Sequence, residues 1–241
     1  PSPDHSLRAT VNQAFQVPNY SEFRLRVGAG FRNVSLFRSP LNPNGTIPVL
    51  ARGNSRLSVE KITGYEVGYK GVFLEKSVFV TLDAYSNDAK NFITDLLQGV
   101  NPDFPFVPPA GFAGNPALEA AIRAQAPGLS AIDGKPAIVV SYTNAGKVEE
   151  RGVELGMNYY VNDEVLLTGN WTWYDFKVKE QKAGDILLPN APKHKFSAGF
   201  SWTRADGIDL AINARNIQAF DWAAGVFAGR IPAYTLVNIS G

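Results

Sequence analysis

A chain of 241 residues, 45% of them hydrophobic, carries 23 basic against 22 acidic side chains. Its net charge of +1 leaves no basic excess with which to grip nucleic acid, and the absence of cysteine excludes disulfide scaffolds, thiol chemistry and cysteine metal centres. No run approaches the roughly 18 apolar residues of a transmembrane helix, and the opening Pro1-Ser2-Pro3-Asp4-His5 lacks the basic start and apolar core of a signal peptide.

Along the chain the dominant signal is a period of two. In Ser6–Gln16, Leu7, Ala9, Val11 and Phe15 alternate with Arg8, Thr10 and Asn12. In Val59–Phe73, Tyr65, Val67, Tyr69 and Phe73 alternate with Glu66, Gly68 and Lys70. Ser77–Ile93 sets Val78, Val80, Leu82 and Ala84 against Thr81, Asp83, Tyr85 and Asn87. Gly152–Val161, Val165–Phe176, Lys195–Trp202, Ile208–Arg215 and Tyr234–Ser240 continue the pattern. Successive strand side chains point to opposite faces, so each segment predicts a strand with one apolar and one polar face, about eight in all. A mean hydropathy of -0.10 fits a membrane barrel as well as a soluble protein, because such faces average out.

The connections alternate in length. Leu74-Glu75-Lys76, Asn162-Asp163-Glu164 and Ala205-Asp206-Gly207 are tight turns, whereas Val17–Ser58, Thr94–Ala137, Lys177–Lys193 and Asn216–Ile231 are long loops. Short turns at one end and long loops at the other mark an outer-membrane barrel, with the long loops outside the cell. One helix is expected inside the second loop. Asn115 caps it, Pro116 takes its first position, Ala117–Ala126 form its body and Pro127-Gly128 end it, as a loop ornament.

Four stretches resemble the TonB-dependent receptor family and together span nearly the whole chain. Ala14-Phe15-Gln16-Val17-Pro18 with Glu22-Phe23 is similar to the family's Phe-Arg-Ala-Pro strand end, with Gln16 where Arg is usual. Leu57-Ser58-Val59-Glu60-Lys61 followed by Tyr65-Glu66-Val67-Gly68-Tyr69-Lys70 resembles its Leu-x-Pro-Glu-Lys and Tyr-Glu-x-Gly strand, with Val59 in place of Pro. Asn144-Ala145-Gly146 with Gly152-Val153-Glu154, and Pro189-Asn190-Ala191-Pro192-Lys193-His194, resemble two further strand starts.

The resemblance implies an all-β fold: a 22-strand antiparallel transmembrane barrel filled by an N-terminal plug. This chain resembles strands 13 to 20, an incomplete barrel domain over residues 1–241 without plug, TonB box or terminal aromatic. It implies an outer-membrane receptor, energised by the TonB complex through the missing plug, that imports a ferric siderophore, cobalamin, haem or oligosaccharide. Lipid and lipopolysaccharide are the surrounding partners. A passive porin and a soluble secreted carbohydrate-binding β-sandwich remain the alternatives.

Tyr65, Tyr69, Phe73, Tyr159, Trp171, Trp173 and Trp202 are expected to form aromatic girdles, and Glu66, Lys70, Asp83, Glu154 and Arg215 to line the lumen. His5 and His194 stand far apart with no carboxylate cluster, so no metal site, cofactor or catalytic constellation is expected. Gly28-Ala29-Gly30 reads as loop. Ligand recognition is expected in the long loops. The first carries Arg24, Arg26, Arg32, Arg38 and Arg52, and the second Phe104, Phe106 and Phe112. Arg32 and Arg38, flanking Phe37, together with Phe104 and Phe106 are the candidate ligand-binding residues, guanidinium for anionic ligands and rings for flat ones.

Overall fold

Segments that alternate in polarity can bury one face only against a large apolar surface, and here all eight line up in a single antiparallel sheet. The computed structural model describes residues 3–224 and 227–241; Pro1, Ser2 and the predicted-loop residues Gly225 and Val226 lie outside the described residues. In chain order the elements are β1 (His5–Gln16), α1 (Tyr20–Arg24), β2 (Arg26–Asn33), β3 (Thr46–Arg52), β4 (Glu60–Phe73), β5 (Val78–Ile93), β6 (Leu97–Gln98) and α2 (Pro116–Gln125). There follow β7 (Leu129–Ile132), β8 (Lys135–Ser141), β9 (Asn144–Tyr160), β10 (Val165–Glu180), β11 (His194–Thr203), β12 (Asp209–Ile217), β13 (Phe220–Ala224), β14 (Phe227–Ile231) and β15 (Tyr234–Ser240). The large sheet has the order β1-β4-β5-β9-β10-β11-β12-β15, and it does not close among the described residues.

Residues directly opposite on neighbouring strands share a face. Gly68 lies opposite Asp83, Asp83 opposite Glu154, and Glu154 opposite Thr172, while Ser197 faces Arg215. The expected lumen residues Glu66, Lys70, Asp83, Glu154 and Arg215 therefore occupy one face together. On the other, one row runs Tyr69, Leu82, Leu155, Trp171 and Phe196, and another Phe73, Val78, Tyr159, Leu167 and Phe200. Of the expected girdle rings, Tyr65 and Trp173 stand towards the loops and Phe73, Tyr159 and Trp202 towards the turns, while Tyr69 and Trp171 share the middle row with Leu155 and so do not fit a girdle at either end. Nothing among the described residues covers this face: Leu7 is 79% and Ile239 70% exposed. Such an exposed apolar face suits lipid rather than water.

The turn end is tight as expected. Leu74, Glu75 and Lys76 all take positive φ, and the Asn162 side chain accepts the amide N–H groups of Glu164 and Val165 at 2.9 and 2.8 Å. At the other end β9 begins eight residues earlier than its alternation predicts, at Asn144 rather than Gly152. Within this added stretch Lys147 and Glu149-Glu150-Arg151 carry charge towards both faces because this part of the strand stands beyond the apolar band.

The buried core lies in the loops. Thr46–Arg52 pairs antiparallel with Arg26–Asn33 and parallel with Lys135–Ser141, which also takes up β6 and β7. Two expected loops are therefore one folded unit around Val34, Ile47, Ile122, Ala126, Leu129 and Ile138. Gly28-Ala29-Gly30 is strand with a bulge rather than loop, since Gly30 at φ +112 supplies the irregular backbone that a bulge requires. The predicted helix is present with Asn115 as its cap, yet it is no ornament: Ile122 and Ala126 are fully buried in the core. None of the helices among the described residues is long and apolar enough to cross a membrane.

Candidate functional site

Two surfaces carry chemistry: the polar face of the sheet and the fused loop unit above it. On the polar face glycines make room for larger neighbours. Arg8 of β1 reaches across Gly68 to pair with Glu66 and, at 3.0 Å, with Asp83, and a side chain at Gly68 would occupy the space these groups fill. Tyr85 lies in the same way over Gly152, and the neighbouring Tyr174 hydroxyl donates to Glu150 at 3.0 Å. Glu66 and Asp83 are thus tied to Arg8 and Glu150 to Tyr174, while Lys70, Glu154 and Arg215 on the same face make no ion pair among the described residues.

Loop arginines divide by what holds them. Arg52 donates to the carbonyl of Val27 on β2 at 3.5 Å and to that of its own neighbour Ala51 at 3.1 Å, Arg56 grips Asp103 through Nε at 3.0 Å and Nη2 at 2.6 Å, and Arg123 lies 3.8 Å over the Phe106 ring. These three are structural: they join strand to strand, loop to loop and helix to loop. Arg24, Arg26, Arg32 and Arg38 are exposed and make no ion pair among the described residues. Sequence reasoning named all four and had no means of separating them from Arg52, whose partner carbonyl leaves no trace in the sequence.

Arg32 and Arg38 fall on the same unit as Phe104 and Phe106. Arg32 is the penultimate residue of the edge strand β2, opposite Ile47, and Arg38 follows the short 3-10 turn Ser35–Phe37. Phe37 stacks on Phe112 with ring centroids 6.1 Å apart, and both pack against the buried cluster with Phe106. Phe106 therefore presents only the face that Arg123 leaves, while Phe104 is half-buried after the turn at Asn101. Sequence reasoning missed the exposed apolar tips on this unit: Tyr20 at 82%, Phe31 at 77% and Leu41 at 98% exposure. Phe31 beside Arg32 repeats the ring-and-cation pairing of Phe37 beside Arg38, and that repetition was the signal available.

The loop unit is braced from within. Asn54 donates to the Tyr142 carbonyl at 3.0 Å, and Asn144 holds both Ser58 and Asn91. The third and fourth loops meet where Asn190 exchanges hydrogen bonds with the backbone of Ala223, both at 2.8 Å. Asp185 of the third loop is buried, and burial raises its carboxyl above the ordinary carboxylate range while the amides of Ile186 and Asp95 pull it back. The two histidines are engaged with rings. His5 meets the Tyr69 hydroxyl at 2.8 Å, and the Trp171 indole donates to His194 Nδ1 at 3.2 Å. Among the described residues no three His, Asp or Glu side chains converge as metal ligands.

A model of the family described as TonB dependent receptor-like, beta-barrel, matches residues 1–241. Among solved structures, the chain resembles a variant ferric enterobactin receptor of Pseudomonas aeruginosa bound to enterobactin, at 15% identity and a TM-score of 0.64 over 99% of this chain. It also resembles the siderophore receptor PirA of Acinetobacter baumannii (16% identity, TM-score 0.61, 99% of this chain) and the FrpB iron transporter of Neisseria meningitidis (10%, 0.57, 99%). The chain spans 30%, 32% and 30% of the length of those three proteins. A comparison with curated protein sequences gives no match.

Proposed function

This chain belongs to the TonB-dependent receptor-like β-barrel family, and on that premise we propose that it supplies eight neighbouring barrel strands and a fused outer loop unit to a receptor that imports a ferric siderophore. The family is one of receptors and transporters in the outer membrane of Gram-negative bacteria, and this chain shares that location. The large sheet with its bare apolar face supports a membrane barrel over a soluble sandwich, and membership of the family supports a receptor over a passive porin.

The observation that carries the solute class is the exposed, unpaired quartet Arg24, Arg26, Arg32 and Arg38 on one loop unit, on a barrel segment whose structural likenesses include siderophore receptors. A ferric siderophore bearing negative charge meets guanidinium groups through charge-assisted hydrogen bonds, and adjacent rings give it a flat surface. The lumen wall, where Arg8 holds Glu66 and Asp83, takes the second role of lining the route and holding a plug. Energy comes from the TonB complex acting on that plug, and no covalent chemistry is involved.

The test is uptake of radiolabelled ferric siderophores by a receptor-deficient Gram-negative strain that expresses the complete receptor, with and without a functional TonB. Uptake of a siderophore that needs both the receptor and TonB is expected. Uptake that persists without TonB, or restoration only of cobalamin, haem or oligosaccharide import, overturns the proposal.

A further inference from the structure

Beyond the solute-binding surface, one row of like charges breaks a rule of sheet design. Lys61 of β4 lies directly opposite Lys90 of β5, and Lys90 directly opposite Lys147 of β9. Like charges facing across a ladder repel and destabilise it. No ion pair relieves any of the three among the described residues, and the neighbouring Glu180, opposite Lys147, pairs with none of them.

The row is on the lipid side. Its members share a face with Val67, Ala84 and Val153, away from the lumen residues Glu66, Asp83 and Glu154. It stands beyond the loop-end aromatic level, four residues from Tyr65 along β4, or about 13 Å at 3.3 Å per residue. Between the row and the apolar band, Glu149 is paired with Arg151 and Lys179, which leaves Glu180 as the one unpaired carboxylate directly opposite a member of the row among the described residues. Lys90 and Lys147 open on a notch of about 310 Å³ lined also by Asn91, Asn144, Gly146 and Glu180. Lysine stems are long enough to swing their ammonium groups along the wall towards a headgroup.

We propose that Lys61, Lys90 and Lys147 form a binding site for the phosphate groups of an anionic glycolipid of the outer leaflet. The inference rests on the outer-membrane location of the chain and is independent of the imported solute. Phosphates placed between the lysines convert a repulsive row into a bridged one. A solute in transit cannot use the site, because the sheet stands between it and the lumen.

The experiment is native mass spectrometry of the complete receptor in detergent, titrated with a bisphosphorylated disaccharide glycolipid, with the same glycolipid after enzymatic removal of its phosphates, and with inorganic phosphate as competitor. The variant Lys61→Gln/Lys90→Gln/Lys147→Gln is compared with Lys76→Gln/Lys135→Gln, which removes charge at the turn end and in the loop unit. The expected result is retention of the phosphorylated lipid by the parent and the comparison variant, about tenfold weaker retention by the triple variant, and no effect of inorganic phosphate. Equal retention by the triple variant overturns the site, and competition by inorganic phosphate overturns the lipid as its occupant. Heat-modifiable gel mobility reports insertion separately, so a parent that fails to insert speaks against the membrane reading instead. If the triple variant itself fails to insert, the single variants replace it, each expected to lose about twofold and each able to refute the site by losing nothing.

Discussion

The side-chain amide of Asn101 donates to the Ser141 hydroxyl at 2.9 Å, in a fully buried contact between the start of the second loop and the end of β8. The same amide donates to the Gly53 carbonyl at 2.9 Å, and the Ser141 hydroxyl donates to the Arg52 carbonyl at 2.7 Å. Three hydrogen bonds thus knot the two long loops where water cannot substitute. Asn101→Leu leaves buried acceptors without a donor and is expected to destabilise the loop unit by about 1–3 kcal/mol. Hydrogen exchange at the β3 and β8 amides checks this: protection falls there and stays unchanged in β10 and β11. Unchanged protection in the loop unit counts against the knot.

Replacing Arg32 and Arg38 together by Ala is expected to weaken binding of the imported ferric siderophore by about tenfold, near 1.4 kcal/mol. Glu66→Gln/Lys70→Gln, on the lumen wall, is expected to leave that first binding step unchanged. Titration of labelled ligand onto whole cells measures both. Equal affinity in parent and arginine variant returns these residues to the class of ordinary loop charges.

Leu155 stands between Leu82 and Trp171 in the middle of the apolar face. Leu155→Arg is expected to cost about 2–4 kcal/mol for a cation near the bilayer midplane, whereas Asn170→Arg, on the opposite face, is tolerated. Reversible unfolding of the complete receptor from lipid vesicles measures the difference. Equal costs at the two positions would mean that the faces are assigned the wrong way round.

Asp185 gives the loop junction a pH dependence. Burial, with the Asp95 charge acting in the same direction, raises its carboxyl above the ordinary 3.8. The folded junction therefore holds the proton more tightly than the unfolded loop does. Its stability is fully present below the ordinary value and declines as pH rises from there through the raised one. Amide exchange at Ile186, corrected for intrinsic rates, should show weaker protection at pH 7 than at pH 4. Asp185→Asn should remove that dependence, because an amide oxygen still accepts from Ile186 while no charge forms. The same pH profile in both proteins refutes the assignment.

What was legible in the sequence follows the reach of each interaction. Leu7-Arg8-Ala9 or Phe196-Ser197-Ala198 announce a strand because lipid and lumen impose opposite demands on adjacent residues. Where that pressure ends, so does the signal. Lys147 to Arg151 continue β9 with charges towards both faces, and the alternation that marks Val153 and Leu155 is gone. Pro136-Ala137-Ile138-Val139-Val140 is apolar enough for a buried strand, but the partner of Ile138 is Val49, on another loop and running parallel. No local pattern encodes such a partner. The short helix at Tyr20–Arg24 was available, since Asn19 and Glu22 form a reciprocal capping box. At the candidate site the sequence supplied arginines and rings, and only the fold shows that Arg123 and Phe106 satisfy each other while Arg32 and Arg38 stand free.

The parallel pairing of Val49–Ala51 with Ile138–Val140 bears on how receptors of this kind can be re-engineered or diverge. Surface loops on a barrel are usually treated as interchangeable parts, each replaceable between the two strands that hold it. Here the first loop donates the centre of a sheet whose other half comes from the second, and helix α2 of the second roofs Val34 and Ile47 of the first. A graft of either loop alone would carry half a core into a host without the other half. Recombination that preserves folding must exchange residues 17–59 and 94–143 as a matched pair, leaving the β4–β5 hairpin between them in place, so the two segments are expected to vary together.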